Sequence, residues 1–267
     1  MKPVHVAAVG VAAPGLSSWA GTIPVLDGTT TYAPAALPSY APQLLPPNER
    51  RRATPAVRLA FQAAEDAISA GAMPAGDTAT IFATSDADTT IIDRICSALA
   101  QPNRVVSPTD FHNSVHNAAA GYWSIASGGR RGSTSLSAGD DTFAIGLLEA
   151  AALVHVEGHP VLFVAYDIVP PPPLDAARGI GAPFAVALVL AREAAGSGTT
   201  PRLVLDLRTD AALRETTLDD AALEQLRNAN PAARALPLLR HLARRDTGRV
   251  VVGLAGDARL CIGVEPA

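Results

Sequence analysis

The amino-acid sequence predicts an α/β fold, a layered sheet covered by helices. Three observations carry that expectation. Residues 4–9, 160–167 and 183–190 are short runs that are apolar at nearly every position, as strands buried on both faces must be. Between such runs lie segments with helical periodicity and recognisable caps, so strands alternate with helices along the chain. The third is size: 267 residues with a hydrophobic fraction of 48% can bury a full core, here expected as one domain over residues 1–267.

In chain order, residues 4–9 read as the first strand, entering a glycine turn at Gly10. Lys2 before an apolar stretch has the look of a signal peptide, but His5 interrupts the run and Gly10, Pro14 and Gly15 punctuate it, which suits a strand and turn. Residues 20–50 carry Pro34, Pro38, Pro42, Pro46 and Pro47. Each ring removes a donor, so the stretch reads as a surface excursion. Thr54 as cap and Pro55 at the first helical position begin an amphipathic helix that Gly71 stops. A strand at residues 80–83 and a helix at 89–99 follow, then a loop with a short strand at Val105-Val106. Residues 110–126 predict one helix, capped by Thr109 or Asp110 and ended by Gly128-Gly129. A strand over residues 133–137 then leads through Ala138-Gly139-Asp140 into a second apolar helix over residues 141–155. Beyond Gly196 come a strand at residues 202–207, a helical region between 218 and 244, and terminal strands at 250–254 and 259–264.

Charge and cysteine usage exclude several partners. Acidic residues outnumber basic ones 25 to 21, and the basic ones are dispersed apart from Arg50-Arg51-Arg52, so neither nucleic acid nor anionic lipid is expected. The triplet reads as a solvated face, or as a docking spot for an acidic carrier protein. The apolar run at residues 180–191 is too short to span a bilayer and carries Gly181 and Pro183, so no membrane span is expected. Cys96 and Cys261 lie far apart and in no metal-like spacing, which suits a reducing, cytoplasmic setting. Each reads as a small buried apolar group.

Four ordered segments resemble the N-terminal half of the β-ketoacyl synthases of the thiolase superfamily. They are the opening strand with Gly10; Asn117-Ala118-Ala119-Ala120-Gly121 with Ser124-Ile125 and Gly128; the run from Ser133 to Asp140 ending in Ala144-Ile145-Gly146; and Gly179-Ile180-Gly181-Ala182 with the strand after it. The likeness covers residues 4–191 and implies a thiolase-like half-fold, with residues 192–267 as a C-terminal extension completing the sheet. Within that family the run from Ser107 to Trp123 is most similar to half-length synthase-like proteins of aryl polyene and xanthomonadin-type pigment systems. That resemblance implies a chain-length-factor-like subunit that pairs with a catalytic ketosynthase and shapes its acyl pocket, with an acyl carrier protein as a further partner.

Two departures from the synthase pattern bear on activity. A synthase places its acyl-accepting cysteine at the start of the central helix, where the helix terminus favours a thiolate. The matching position here is Ala138, between Ser137 and Gly139, and Asp140 and Asp141 on the first turn suit the helix while opposing a nearby thiolate. Only about seventy-five residues follow Leu190, and their one histidine, His241, lies in an Arg-rich helical region, so the decarboxylating histidines of a second half are not expected. The degenerate elbow at Ser137, Ala138 and Gly139 also admits an alternative. Ser135-Leu136-Ser137-Ala138-Gly139 partly imitates a hydrolase elbow, with Ser135 where the first glycine belongs, and a divergent acyl-processing enzyme would use Ser137.

The resemblance further implies that Phe111, His112, Asn113 and Val115 border the partner's acyl tunnel. His116, Asn117, Gly121 and Ser135 would belong to the same tunnel and interface surface. Its seam would be formed by the strand over residues 133–137, which meets the partner across a two-fold axis, and by the small-residue helix face at Asn117, Gly121 and Ser124, with Tyr122 and Trp123 as larger anchors. His112 and His116, spaced i, i+4, would share a helix face and could hold a metal, but no third ligand is evident. Histidines hydrogen-bonded around the start of a buried helix account for them, and no cofactor or metal is expected.

Overall fold

In the computed structural model, which describes residues 2–194 and 200–266, the first strand is longer than its sequence suggested. β1 (Val4–Ala12) runs straight through Gly10, and the chain reverses only at Gly15, with φ +74°, where Ala13 and Leu16 form a bridge. Gly10 is not a turn residue. It is glycine because a helix lies on it: a Cβ there would sit 2.0 Å from the Ala63 carbonyl oxygen. Gly196, the divider used above, lies outside the described residues.

The stretch over residues 20–50, expected to be irregular throughout, holds a helix at each end. α1 (Trp19–Leu26) is capped by Ser18, whose side chain accepts the Gly21 amide, and α2 (Pro47–Arg52) opens on its proline. Asp66 anchors α1 from below, accepting the Trp19 amide at 2.6 Å and the Val11 amide at 3.2 Å. The prolines do govern residues 31–46, which form neither helix nor strand. Glu65 pins that segment by accepting the Gln43 and Leu44 amides, each at 2.9 Å, and the Tyr40 hydroxyl.

α3 (Pro55–Ala70) begins on Thr54 and Pro55 and closes at Gly71, as its caps predict. β2 (Ala79–Ala83) and α4 (Thr89–Leu99) follow. α4 packs on the next helix and on little else, so Ile92 and Leu99 are exposed. Cys96 is exposed with them, against the expectation that it is buried, whereas Cys261 is buried. No strand forms at Val105-Val106, which lie in a loop with Val105 open to solvent.

The helix expected over residues 110–126 is two helices. α5 (Pro108–Asn113) is capped by Ser107 instead of Thr109 or Asp110, and α6 (Ala118–Ser127) ends at Gly128 in the left-handed region. Ser114 makes the break. Its amide and its hydroxyl both donate to the Phe111 carbonyl, at 3.2 and 2.8 Å, so that acceptor closes a tight turn rather than continuing the helix. The remaining elements are β3 (Ser133–Leu136), α7 (Thr142–Glu157), β4 (Val161–Asp167), β5 (Phe184–Ala191), β6 (Arg202–Thr209), α8 (Ala221–Asn228), α9 (Leu236–Arg244), β7 (Gly248–Gly253) and β8 (Ala258–Glu265).

Among the described residues the eight strands form one sheet in the order β3-β2-β4-β5-β1-β6-β8-β7. β3, β2 and β4 run parallel, with Ile81 between Thr134 and Phe163, and the other neighbouring pairs are antiparallel. β4 shows why these strands are apolar on both faces. Val161, Phe163 and Ala165 join the core under α7 and α9, while Leu162, Val164 and Tyr166 join the one under α3 and α6. There Trp123 of α6 meets Phe61 of α3 edge-on at 5.2 Å, and burying each such ring contributes roughly 2–3 kcal/mol. β3 is an edge strand, paired to β2 alone. No helix among the described residues is long and apolar enough to cross a membrane.

Candidate functional site

The turn from β3 into α7 is the elbow that the sequence singled out. Gly139 takes φ +56°, and residues Gly139–Asp141 form a 3₁₀ turn that delivers the chain into α7. Thr142 locks it: its hydroxyl accepts the Ala138 amide at 3.0 Å and donates to the Gly139 carbonyl at 2.7 Å. Ser137 donates its hydroxyl to the Ser85 carbonyl at 2.7 Å, so its proton is committed to a carbonyl and not to a base. Asp140 and Asp141 precede the helix instead of sitting on its first turn, and neither makes a capping bond. Asp140 pairs with Arg178 at 3.0 Å, and Asp141 accepts the Ala255 amide at 2.7 Å and faces Arg234 at 3.6 Å.

Beneath the elbow is a polar cluster that the sequence reading missed. The parallel strands β3, β2 and β4 all point their carboxyl ends here, the place where open α/β sheets collect functional groups. Asp167, 2% exposed at the end of β4, accepts the Thr84 hydroxyl at 2.9 Å, the Ser85 amide at 2.7 Å and the Ser85 hydroxyl at 2.8 Å, all on Oδ1. Its Oδ2 is buried with no hydrogen-bond partner among the described residues. Burial pushes the carboxyl up to about 6 against those hydrogen bonds, which favour the ionised form. Arg178 bridges the rim, its Nε 2.6 Å from Asp86. The available signal was an acid closing an otherwise apolar strand, with Thr84-Ser85-Asp86 following another.

A groove of about 420 Å³ runs along the sheet edge, lined by His116, Asn117, Gly121, Ser124, Ser133 and Ser135 among others. The groove thus gathers His116, Asn117 and Gly121, from the entry and face of α6, with Ser135 of β3. A Cβ at Gly121 would meet nothing within 4 Å, so this face of α6 is open. Phe111 and Val115 stand nearby in the chain, 71% and 51% exposed. Asn113 instead turns inward and donates to the Arg52 carbonyl at 3.2 Å.

Two expectations are corrected here. His112 and His116 do not share a helix face, because the Ser114 break falls between them, and both are exposed rather than buried at a helix start. His112 lies edge-on to Tyr122, with ring centroids 6.2 Å apart. Tyr122 and Trp123 are core residues, 2% and 1% exposed, so neither is free to anchor an interface. Among the described residues no group of three His, Cys, Asp or Glu side chains is placed to hold a metal ion.

Comparison with known proteins places this geometry. The family model for the β-ketoacyl synthase, N-terminal domain, matches residues 28–253. The structure of the ketosynthase ApeO in complex with its chain length factor ApeC, from Xenorhabdus doucetiae, contains a chain 26% identical, with 98% of this chain and 100% of that one covered and a TM-score of 0.72. The ishigamide ketosynthase/chain length factor is similar at 11% identity, covering 100% of this chain and 99% of that one, with a TM-score of 0.74. A β-ketoacyl synthase from Burkholderia phymatum STM815 is similar at 11% identity over 100% of both chains, with a TM-score of 0.72. At 11% identity these last two show the fold alone, which is the thiolase-like fold of ketosynthases. No curated protein matches the chain.

Proposed function

The chain belongs to the β-ketoacyl synthase family, N-terminal domain, and on that premise we propose that it is a non-catalytic, chain-length-factor-like partner of a ketosynthase in polyketide or fatty-acid-like synthesis of the aryl polyene type. The observation that carries the reading is the elbow. Acyl transfer needs a nucleophile at this turn and a donor free to meet the oxyanion. Ala138 has no nucleophilic atom, and its amide is already bonded to Thr142.

The sheet edge supports the partner role. β3 leaves one side unpaired, a liability that proteins normally cover, and the open groove beside it presents small residues that permit close approach. In this reading β3 and α6 lie against the ketosynthase, and Phe111 and Val115 reach its acyl pocket. Residues 192–267 complete the same domain, the complex works in the cytoplasm, and an acyl carrier protein visits it.

Intact mass after incubation with acyl carrier thioesters tests the non-catalytic claim. No adduct is expected on this chain. A stoichiometric adduct that turns over would overturn it, and fluorophosphonate labelling at Ser137 would favour the serine-enzyme alternative.

A further inference from the structure

A cavity of about 640 Å³ opens between residues 37–40, the junction of α2 with α3, and helices α4 and α5. It shares no lining residue with the groove beside β3. Its walls combine three features. Leu59, Ile91 and Ile168, all buried, give it an apolar floor. Arg51, Arg52, Arg58 and Arg94 line it against a single carboxylate, Asp110, in a chain whose net charge is -4. Arg58 donates to the Ala53 and Arg50 carbonyls and Arg51 to Asn48, but carboxylates hold the other two loosely: Glu49 is 3.4 Å from Arg52, and Asp110 is 3.7 Å from Arg94. Guanidinium N–H groups therefore remain for an anion.

The third feature is a buried acceptor. Asn113, 2% exposed, uses its Nδ2 on the Arg52 carbonyl, and Gln62, 8% exposed, uses its Nε2 on the Ser17 carbonyl at 3.0 Å. That leaves Gln62 Oε1 buried without a hydrogen-bond partner among the described residues, whereas the Asn113 side chain meets the Tyr122 hydroxyl. Both amides line the cavity. Buried acceptors are normally satisfied, and a ligand carrying an O–H or N–H would satisfy that of Gln62.

We propose that this cavity binds a small amphiphilic anion: a carboxylate head held by the arginines, an aryl or alkyl body on Leu59, Ile91 and Ile168, and a donor meeting Gln62. A mostly apolar pocket with a few convergent polar groups is the ordinary form of a small-molecule site. The inference stands apart from the ketosynthase pairing, since it concerns this chain alone and its test needs no partner.

The test is a titration of the full chain, followed by amide chemical shifts, with 3-(4-hydroxyphenyl)propanoate as probe. Saturable binding with a Kd of about 1 mM or tighter is expected, with shifts centred on Thr90, Ile91 and Asn113. The neutral 3-(4-hydroxyphenyl)propan-1-ol should bind about tenfold more weakly, and 3-phenylpropanoate, which lacks the donor, about fivefold. Arg51→Gln combined with Arg94→Gln should weaken the acid about tenfold while leaving the alcohol unchanged. Thr90→Trp, which fills the cavity from α4, should abolish both. Equal affinity for acid and alcohol, an arginine variant that binds the acid as wild type does, or no shifts at several-fold higher concentration would each overturn the proposal. Binding of inorganic phosphate as strong as that of the acid would show a bare anion patch and overturn the amphiphile.

Discussion

The Thr142 hydroxyl, on the first residue of α7, accepts the Ala138 amide at 3.0 Å across the 3₁₀ turn of the elbow. A reactive elbow keeps its amide unbonded so that it can meet charge as charge develops. Here that donor is used to hold the turn, and the side chain beside it is a methyl group.

Ala138→Cys therefore will not restore acyl condensation. The introduced thiol would sit two and three residues from Asp140 and Asp141, which disfavour its thiolate, and its own amide, bonded to Thr142, would not be free to stabilise an oxyanion. Malonyl thioester consumption by the isolated variant should stay at background. Turnover above wild type would show that the elbow is competent once a nucleophile is supplied.

Gly121→Trp should separate assembly from folding. The α6 face at Gly121 is open, so the indole can be accommodated by this chain, yet it projects into the groove beside β3 where the proposed ketosynthase partner would lie. An obligate interface of this kind buries about 2,000 Å² or more, and a bulky wedge at its seam should abolish co-elution. Circular dichroism should be unchanged. A variant that co-elutes as wild type does would move the interface elsewhere.

In the proposed pairing, Phe111 and Val115 are the residues that set product length. Phe111→Ala enlarges the shared pocket by several methylenes of volume, whereas Val115→Trp obstructs it. The complex should assemble with both, giving longer products with the first and shorter with the second. Identical product distributions from intact complexes would remove both residues from the tunnel.

Asp167 should give stability a pH dependence of unusual sign for a carboxylate. Burial holds its folded-state value at about 6, above the ordinary 3.8. Between those values the folded protein binds a proton that the unfolded chain has released. The stability this group supplies is full below about pH 4 and is lost as pH rises through about 6, roughly 3 kcal/mol at most. Asp167→Asn keeps an oxygen for Thr84 and Ser85 and removes the titration. Urea midpoints of wild type relative to the variant should therefore fall between about pH 4 and about pH 7. Parallel profiles would mean that the carboxyl is not perturbed.

What could be read from sequence was local. Thr54-Pro55 and Gly71 mark both ends of α3 because caps act within a turn, and the strand-turn-helix run that contains Ala138 is contiguous. The break at Ser114 escaped because it depends on one hydroxyl competing for one carbonyl, which leaves the apolar pattern unchanged. Gly10 misled for the opposite reason: glycine marks turns and close packing alike, and only the path of α3 decides between them. The polar cluster under the elbow was out of reach, since Asp86 and Arg178 are ninety-two residues apart and meet only through the order of the strands. The groove was partly legible. The resemblance named His116, Asn117, Gly121 and Ser135, and the edge position of β3 gathers them, but Tyr122 and Trp123 face the core because α6 turns its larger side chains toward α3.

The central claim is a silent partner beside an active one, and native mass spectrometry of the co-expressed pair addresses it most directly. After incubation with an acyl carrier thioester, the account predicts one heterodimer whose ketosynthase carries the acyl mass and whose other chain carries none. An acyl adduct on this chain, or a chain that stays monomeric beside its cognate ketosynthase, would contradict it.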